Sequence, residues 1–114
     1  MSRTMQVPGC RGTTVRKVTR AHRLQFLEVN IKQGGEVPLH THDCAATMVI
    51  TRGSARKLTG KGLGERVEAG DVVVKAAREP HGFTRIGKGG FQFISLSGSQ
   101  GIVRKGGKLD MAFA

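Results

Sequence analysis

Four histidines stand in the chain, and three of them are placed so that they could act on one ligand. His40 and His42 are separated by one residue. On an extended strand such neighbours face the same side, so both imidazoles can be presented to one ion. Ala46 shares their parity. A tetrahedral or octahedral ion needs donors from more than one direction, so a third ligand has to come from another strand. His81, directly after Pro80 and close behind the run Val72 to Val74, is the candidate. Cys44 shares parity with His42. It reads either as a soft fourth ligand or as buried packing, the latter being the commoner fate of a lone cysteine. Asp43 has the opposite parity and is expected at the surface or beside a loop, and His22, set among basic residues, is expected at the surface. Paired carboxylates, a serine triad and a phosphate-binding loop are not recognisable, so any catalysis here would rest on a metal ion.

The elements that must position these side chains read as strands. Seventeen glycines punctuate the chain, and the apolar residues alternate over short runs rather than repeating with a helical period. Thr13 to Val18 opens the series. Leu24, Phe26, then Leu27, Val29 and Ile31 alternate with one change of phase, which a β-bulge at Phe26 and Leu27 would explain. Gly34 and Gly35 close that strand, and Pro38 favours an extended approach to His40. Thr47 to Thr51 ends at Gly53. Ala55 to Leu58 and Glu65 to Val67 flank a glycine-rich hairpin tip. Val72 to Val74, Gly82 to Ile86 and the run Phe91, Phe93, Ile94, Leu96 follow, the last again with a change of phase. A final short strand is expected through Ile102 and Val103, and Leu109 and Met111 are too few to decide the conformation of the end. Met48, Val72, Val74, Phe83, Phe91 and Phe93 are expected to line the interior. Eight to ten short strands at regular spacing argue for an all-β sandwich or barrel.

The stretch Gly34, His40, His42, Ala46, Gly53 resembles the first motif of the cupin family in spacing. Gly70 and His81 match the second. The resemblance covers about residues 24 to 100. It implies a jelly-roll cupin barrel, a double-stranded β-helix, as the single domain 1–114, with a divalent metal ion held by His40, His42 and His81. The sequence departs from the motifs where Ala46 stands for a glutamate, and where Ala76, Arg78 and Arg85 stand for proline, glycine and asparagine. Three neutral imidazoles suit zinc or ferrous iron and leave positions open for water or substrate. Manganese and nickel chemistry, which leans on the missing carboxylate, fits less well. The absent carboxylate also makes the site more positive by one charge, so an anionic ligand could complete it. The resemblance thus implies a metal-dependent oxygenase or isomerase acting on a small polar or anionic molecule. The alternative is a non-enzymatic small-molecule sensor, in which the three histidines meet the ligand directly.

Composition bounds these readings. The chain has 114 residues, enough for one core. Two cysteines, Cys10 and Cys44, form no CxxC and are expected as free thiols. No apolar run approaches the roughly 20 residues of a membrane span, and the first residues lack the apolar segment of a secretory signal, so a cytoplasmic location without membrane contact is the expectation. Lys and Arg outnumber Asp and Glu by 19 to 8, for a formal charge of +11. That surplus reads as a solvated surface or as an attraction for an acidic partner. A nucleic-acid partner is disfavoured by the absence of Trp and Tyr for base stacking. Residues 1 to 12, with Pro8, Gly9 and Gly12 and no apolar period, look like a terminal arm that orders only when docked. The family resemblance implies a homodimer, to which such an arm is suited.

Overall fold

The computed structural model describes residues 4–98 and 101–114. Residues 1–3 of the expected arm, and 99–100 at the end of the expected barrel, lie outside the described residues. Nine strands follow in chain order: β1 (Thr4–Gln6), β2 (Arg11–Ala21), β3 (Leu24–Thr41), β4 (Ala46–Thr59), β5 (Gly62–Glu68), β6 (Val72–Lys75), β7 (His81–Thr84), β8 (Phe91–Ser97) and β9 (Ala112–Phe113). A 3-10 turn at Lys105–Gly107 precedes β9. Every pairing is antiparallel. One sheet runs β1-β2-β3-β8-β4-β6 and the other β9-β3-β7-β4-β5. β3 and β4 belong to both sheets and fold the pair over a shared interior, which makes the expected jelly roll. No helix of the described residues is long and apolar enough to cross a membrane.

Glycines expected to end strands instead bend them. β3 continues through Gly34 and Gly35, and β4 through Gly53. Gly53 takes φ +78°, and a Cβ there would lie 1.9 Å from the Gly90 carbonyl oxygen, so β4 can turn from one sheet into the other only with no side chain at this position. The two expected phase changes do not occur. β3 pairs with β8 without interruption from Gln25↔Ser97 to Ile31↔Phe91. The irregularity lies on β2 instead, where Val18 is the extra residue between the pairs Lys17↔Leu27 and Thr19↔Phe26. Gln25, Leu27 and Ile31 therefore point inward while Phe26 points out, and on β8 the interior set is Phe91, Phe93, Ser95 and Ser97. The sequence pattern misleads because polar residues take interior positions.

A similar inversion appears on β6. Val72 and Val74 are 59% and 73% exposed, whereas Val73 and Lys75 are buried. The register Met48↔Val73 and Ala46↔Lys75 sets this phase, because Met48 and Ala46 are themselves interior. Met48, Phe83, Phe91 and Phe93 are interior as expected. The rings of Phe83, Phe91 and Phe93 lie with centroids 5.1–5.8 Å apart, within the range where aromatic pairs add about 0.5–1.5 kcal/mol beyond their buried area.

Strands outside 24–100 also take part in the sheets. β1 pairs with β2 of its own chain, and Val7 packs into the same cluster as Val15, Leu27, Ala46, Ile102 and Val103. Residues 4–7 are thus docked on the barrel of their own chain. At the other end, among the described residues, Ile102 and Val103 form no strand with a neighbour; Val103 makes one bridge to Leu109, and the last residues form β9 against His40 and Thr41. Buried Gln25 holds this return segment, accepting from the Ile102 and Val103 amides (2.8 and 3.0 Å) and donating to the Val103 carbonyl (2.7 Å).

Candidate metal centre

His40 lies near the end of β3, opposite His81 on β7 in the register His40↔His81. His42 follows just past the strand end. Two features bring β7 close enough. Pro38 keeps the approach to His40 extended, and Gly82 lets β7 approach β3: a Cβ there would stand 2.4 Å from the Val37 carbonyl oxygen. The ring centroids are 4.6 Å apart for His40 and His42, 4.1 Å for His40 and His81, and 5.1 Å for His42 and His81. One ring nitrogen from each of the three lies within 4.8 Å of the others.

Hydrogen bonding fixes two of the tautomers. His40 Nδ1 lies 2.8 Å from the Pro38 carbonyl, and His42 Nδ1 bonds the Asp110 carbonyl. A carbonyl can only accept, so both Nδ1 atoms carry protons and, in neutral rings, both Nε2 atoms present lone pairs. Those two Nε2 atoms are 3.1 Å apart. Two lone pairs so close repel unless a cation or a proton sits beside both. Nitrogens about 2.1 Å from one ion would be about 3.0 Å apart at a right angle and about 3.4 Å at the tetrahedral angle, so the observed spacing fits a divalent ion. Among the described residues His81 Nδ1 is buried with no hydrogen-bond partner; the Glu79 backbone approaches without meeting that geometry.

The surroundings keep these rings neutral. Burial pushes His40 down to about 4 and His81 down to about 2, and neighbouring positive charge, including that of Lys75, acts in the same direction. Burial lowers His42 too, against the opposing pull of the Asp110 carbonyl. Neutral imidazole is the metal-binding form.

Cys44 is not part of the cluster. Its thiol lies 3.7 Å from an Asp110 carboxylate oxygen, and burial, followed by that carboxylate, raises its pKa. Asp43 is exposed, 4.0 Å from Arg78, and His22 is exposed as well. Asp110 gives no signal in the sequence. Its carboxylate accepts from the Asp43 amide and from Arg104 (3.2 Å), so its backbone carbonyl is held against His42. Above the histidines a cavity of about 70 Å³ opens into the barrel, larger than the roughly 10–15 Å³ that one water requires. Apart from the imidazoles its wall is mostly apolar, with Leu27, Met48, Phe83, Phe93 and Ile102 prominent.

The fold is thus a double-stranded β-helix with three imidazoles converging inside it. Among solved structures, the polyketide cyclase RemF from Streptomyces resistomycificus superimposes with a TM-score of 0.75, covering 86% of this chain and 74% of its own at 25% identity. A conserved protein with a double-stranded β-helix domain from Klebsiella pneumoniae gives 0.74, covering 96% and 89% at 21% identity. A cupin-2 domain from Rhodospirillum rubrum gives 0.75, covering 100% and 73% at 14% identity. No family model and no curated protein matches the chain. The chain thus has the double-stranded β-helix fold of the cupin domains on which it superimposes.

Proposed function

We propose that the chain binds one divalent metal ion, zinc or ferrous iron, through His40, His42 and His81, and that a small molecule entering the barrel completes the ion's coordination. The observation that carries this reading is the pair of Nε2 atoms 3.1 Å apart, each ring set against a carbonyl by its other nitrogen. Such locking orients the ligand and raises its basicity. When bound, the ion would supply Lewis acidity toward a ligand oxygen. The chain's own residues then do three things. Pro38 and Asp110 aim the rings, Arg104 and the Asp43 amide hold Asp110 in place, and the apolar wall excludes water from the ligand's body. That wall favours a molecule with a compact apolar body and an oxygen-bearing head, rather than one that is polar throughout.

Metal analysis of protein purified without a histidine tag, before and after reconstitution with zinc or iron, tests the reading. The expected result is about one ion per chain, lost on replacing His40 and His42 by alanine. Negligible uptake after reconstitution refutes it.

A further inference from the structure

The bulge on β2 decides where two cations point. Lys17 and Arg20 are three residues apart, so on a regular strand they would face opposite sides of the sheet. With Val18 as the extra residue, both stand in register with interior residues, Lys17↔Leu27 and Arg20↔Gln25. Directly opposed residues of an antiparallel pair project from the same face, so both side chains leave the sheet on its inner side while remaining exposed. Gln25 places the other two cations. It holds the Ile102 and Val103 amides and the Val103 carbonyl, and Arg104 and Lys105 follow directly in the chain. The four cations come together around one open groove of about 450 Å³, which Gln25 and Val103 also line.

Among the described residues no Asp or Glu lines this groove, and Lys17 and Lys105 form no ion pair. Arg104 meets Asp110 through one amino group at 3.2 Å, while its Nε is buried without a hydrogen-bond partner among the described residues. Like charges gathered around one hollow repel one another, and no carboxylate of its wall offsets them. We infer that the groove binds the diphosphate group of a small molecule. Its cations come from two segments far apart in sequence, so they suit an anion whose charge is spread over two linked centres. A single carboxylate would neutralise one cation and leave the others facing each other. Arg and Lys both donate charge-assisted hydrogen bonds to phosphate oxygens. No aromatic ring of the described residues lines the groove, so a nucleic-acid base finds no stacking surface there, which favours a phosphorylated small molecule over a strand. None of the three clustered histidines lines it either, so the groove stands apart from the metal reading.

Inorganic pyrophosphate is the probe, titrated into metal-free protein and followed by calorimetry and by backbone amide NMR shifts. Saturable binding is expected, with the shifts centred on Lys17, Arg20, Val103 and Lys105, and acetate at equal ionic strength should not reproduce them. Lys17→Gln combined with Lys105→Gln should weaken pyrophosphate about tenfold or more, because each change removes a charge-assisted contact. Lys17→Arg combined with Lys105→Arg should retain it. Lys61→Gln combined with Lys88→Gln removes the same charge outside the groove and should leave the affinity at the wild-type level, which separates a site from the general field of a chain with a formal charge of +11. Arg104 is kept throughout, because it holds Asp110 at the histidine cluster. Equal weakening by the two glutamine pairs, shifts that acetate reproduces or that map elsewhere, or binding of single-stranded oligothymidylate without any response to pyrophosphate overturns the inference.

Discussion

Acidifying the metal-free protein is the most direct probe of how the histidine cluster is built. His40 falls to about 4 in the folded chain because burial disfavours its charged form, against about 6.5 in an unfolded chain. Between those values the unfolded state binds more protons than the folded one, so stability is fully present above about pH 6.5 and declines as the pH falls, levelling off below about pH 4. For His40 alone the loss at pH 5 is about 2 kcal/mol. His42 and His81 shift in the same direction and steepen the decline. With a urea dependence of about 2 kcal/mol per molar, His40 alone should lower the midpoint by about 1 M between pH 7 and pH 5, and the three histidines together by more. The chain has neither Trp nor Tyr, so far-ultraviolet circular dichroism is the suitable signal. His40→Gln should lessen the pH dependence by about one proton. Zinc at pH 7 should raise the midpoint, because it binds only the folded cluster. Equal midpoints at pH 7 and pH 5, or an unaltered pH dependence in His40→Gln, would refute the argument.

Three further outcomes follow from the same geometry. Asp110→Ala frees the carbonyl that orients His42, and zinc affinity should fall about 10–100-fold in a competition titration; Asp110→Asn, which can still accept from the Asp43 amide, should recover part of it, and no loss in the alanine variant would remove Asp110 from the site. Ala46→Glu in a Lys75→Met background offers a carboxylate that only the ion can satisfy, so zinc should bind about tenfold or more tightly than in Lys75→Met alone; unchanged affinity would mean that the imidazoles converge away from position 46. Val7→Ala should cost about 1–2 kcal/mol in chemical denaturation, because Val7 is buried in the barrel of its own chain; a neutral result would return residues 1–12 to the status of a loose arm.

The residues themselves specified a good deal. Glycine punctuation and short alternating runs pointed to an all-β sandwich or barrel, because strand parity is a local property that one chain segment carries alone; the jelly roll and the set of three histidines were implied by the resemblance of the spacing from Gly34 to Gly53 and from Gly70 to His81 to the cupin motifs. Parity also put His40 and His42 on one face before any partner strand was known. Which face was interior, however, depended on the neighbours. Val72 and Val74 were expected in the core, and only the register with Ala46 and Met48 put Val73 and Lys75 there instead; Ser95 and Ser97 were hidden by the apolar outer residues Ile94 and Leu96. The part played by Asp110 was not legible at all. It comes from a contact with His42, dozens of residues away, and pairings of that kind are fixed only when both sheets close over a common interior.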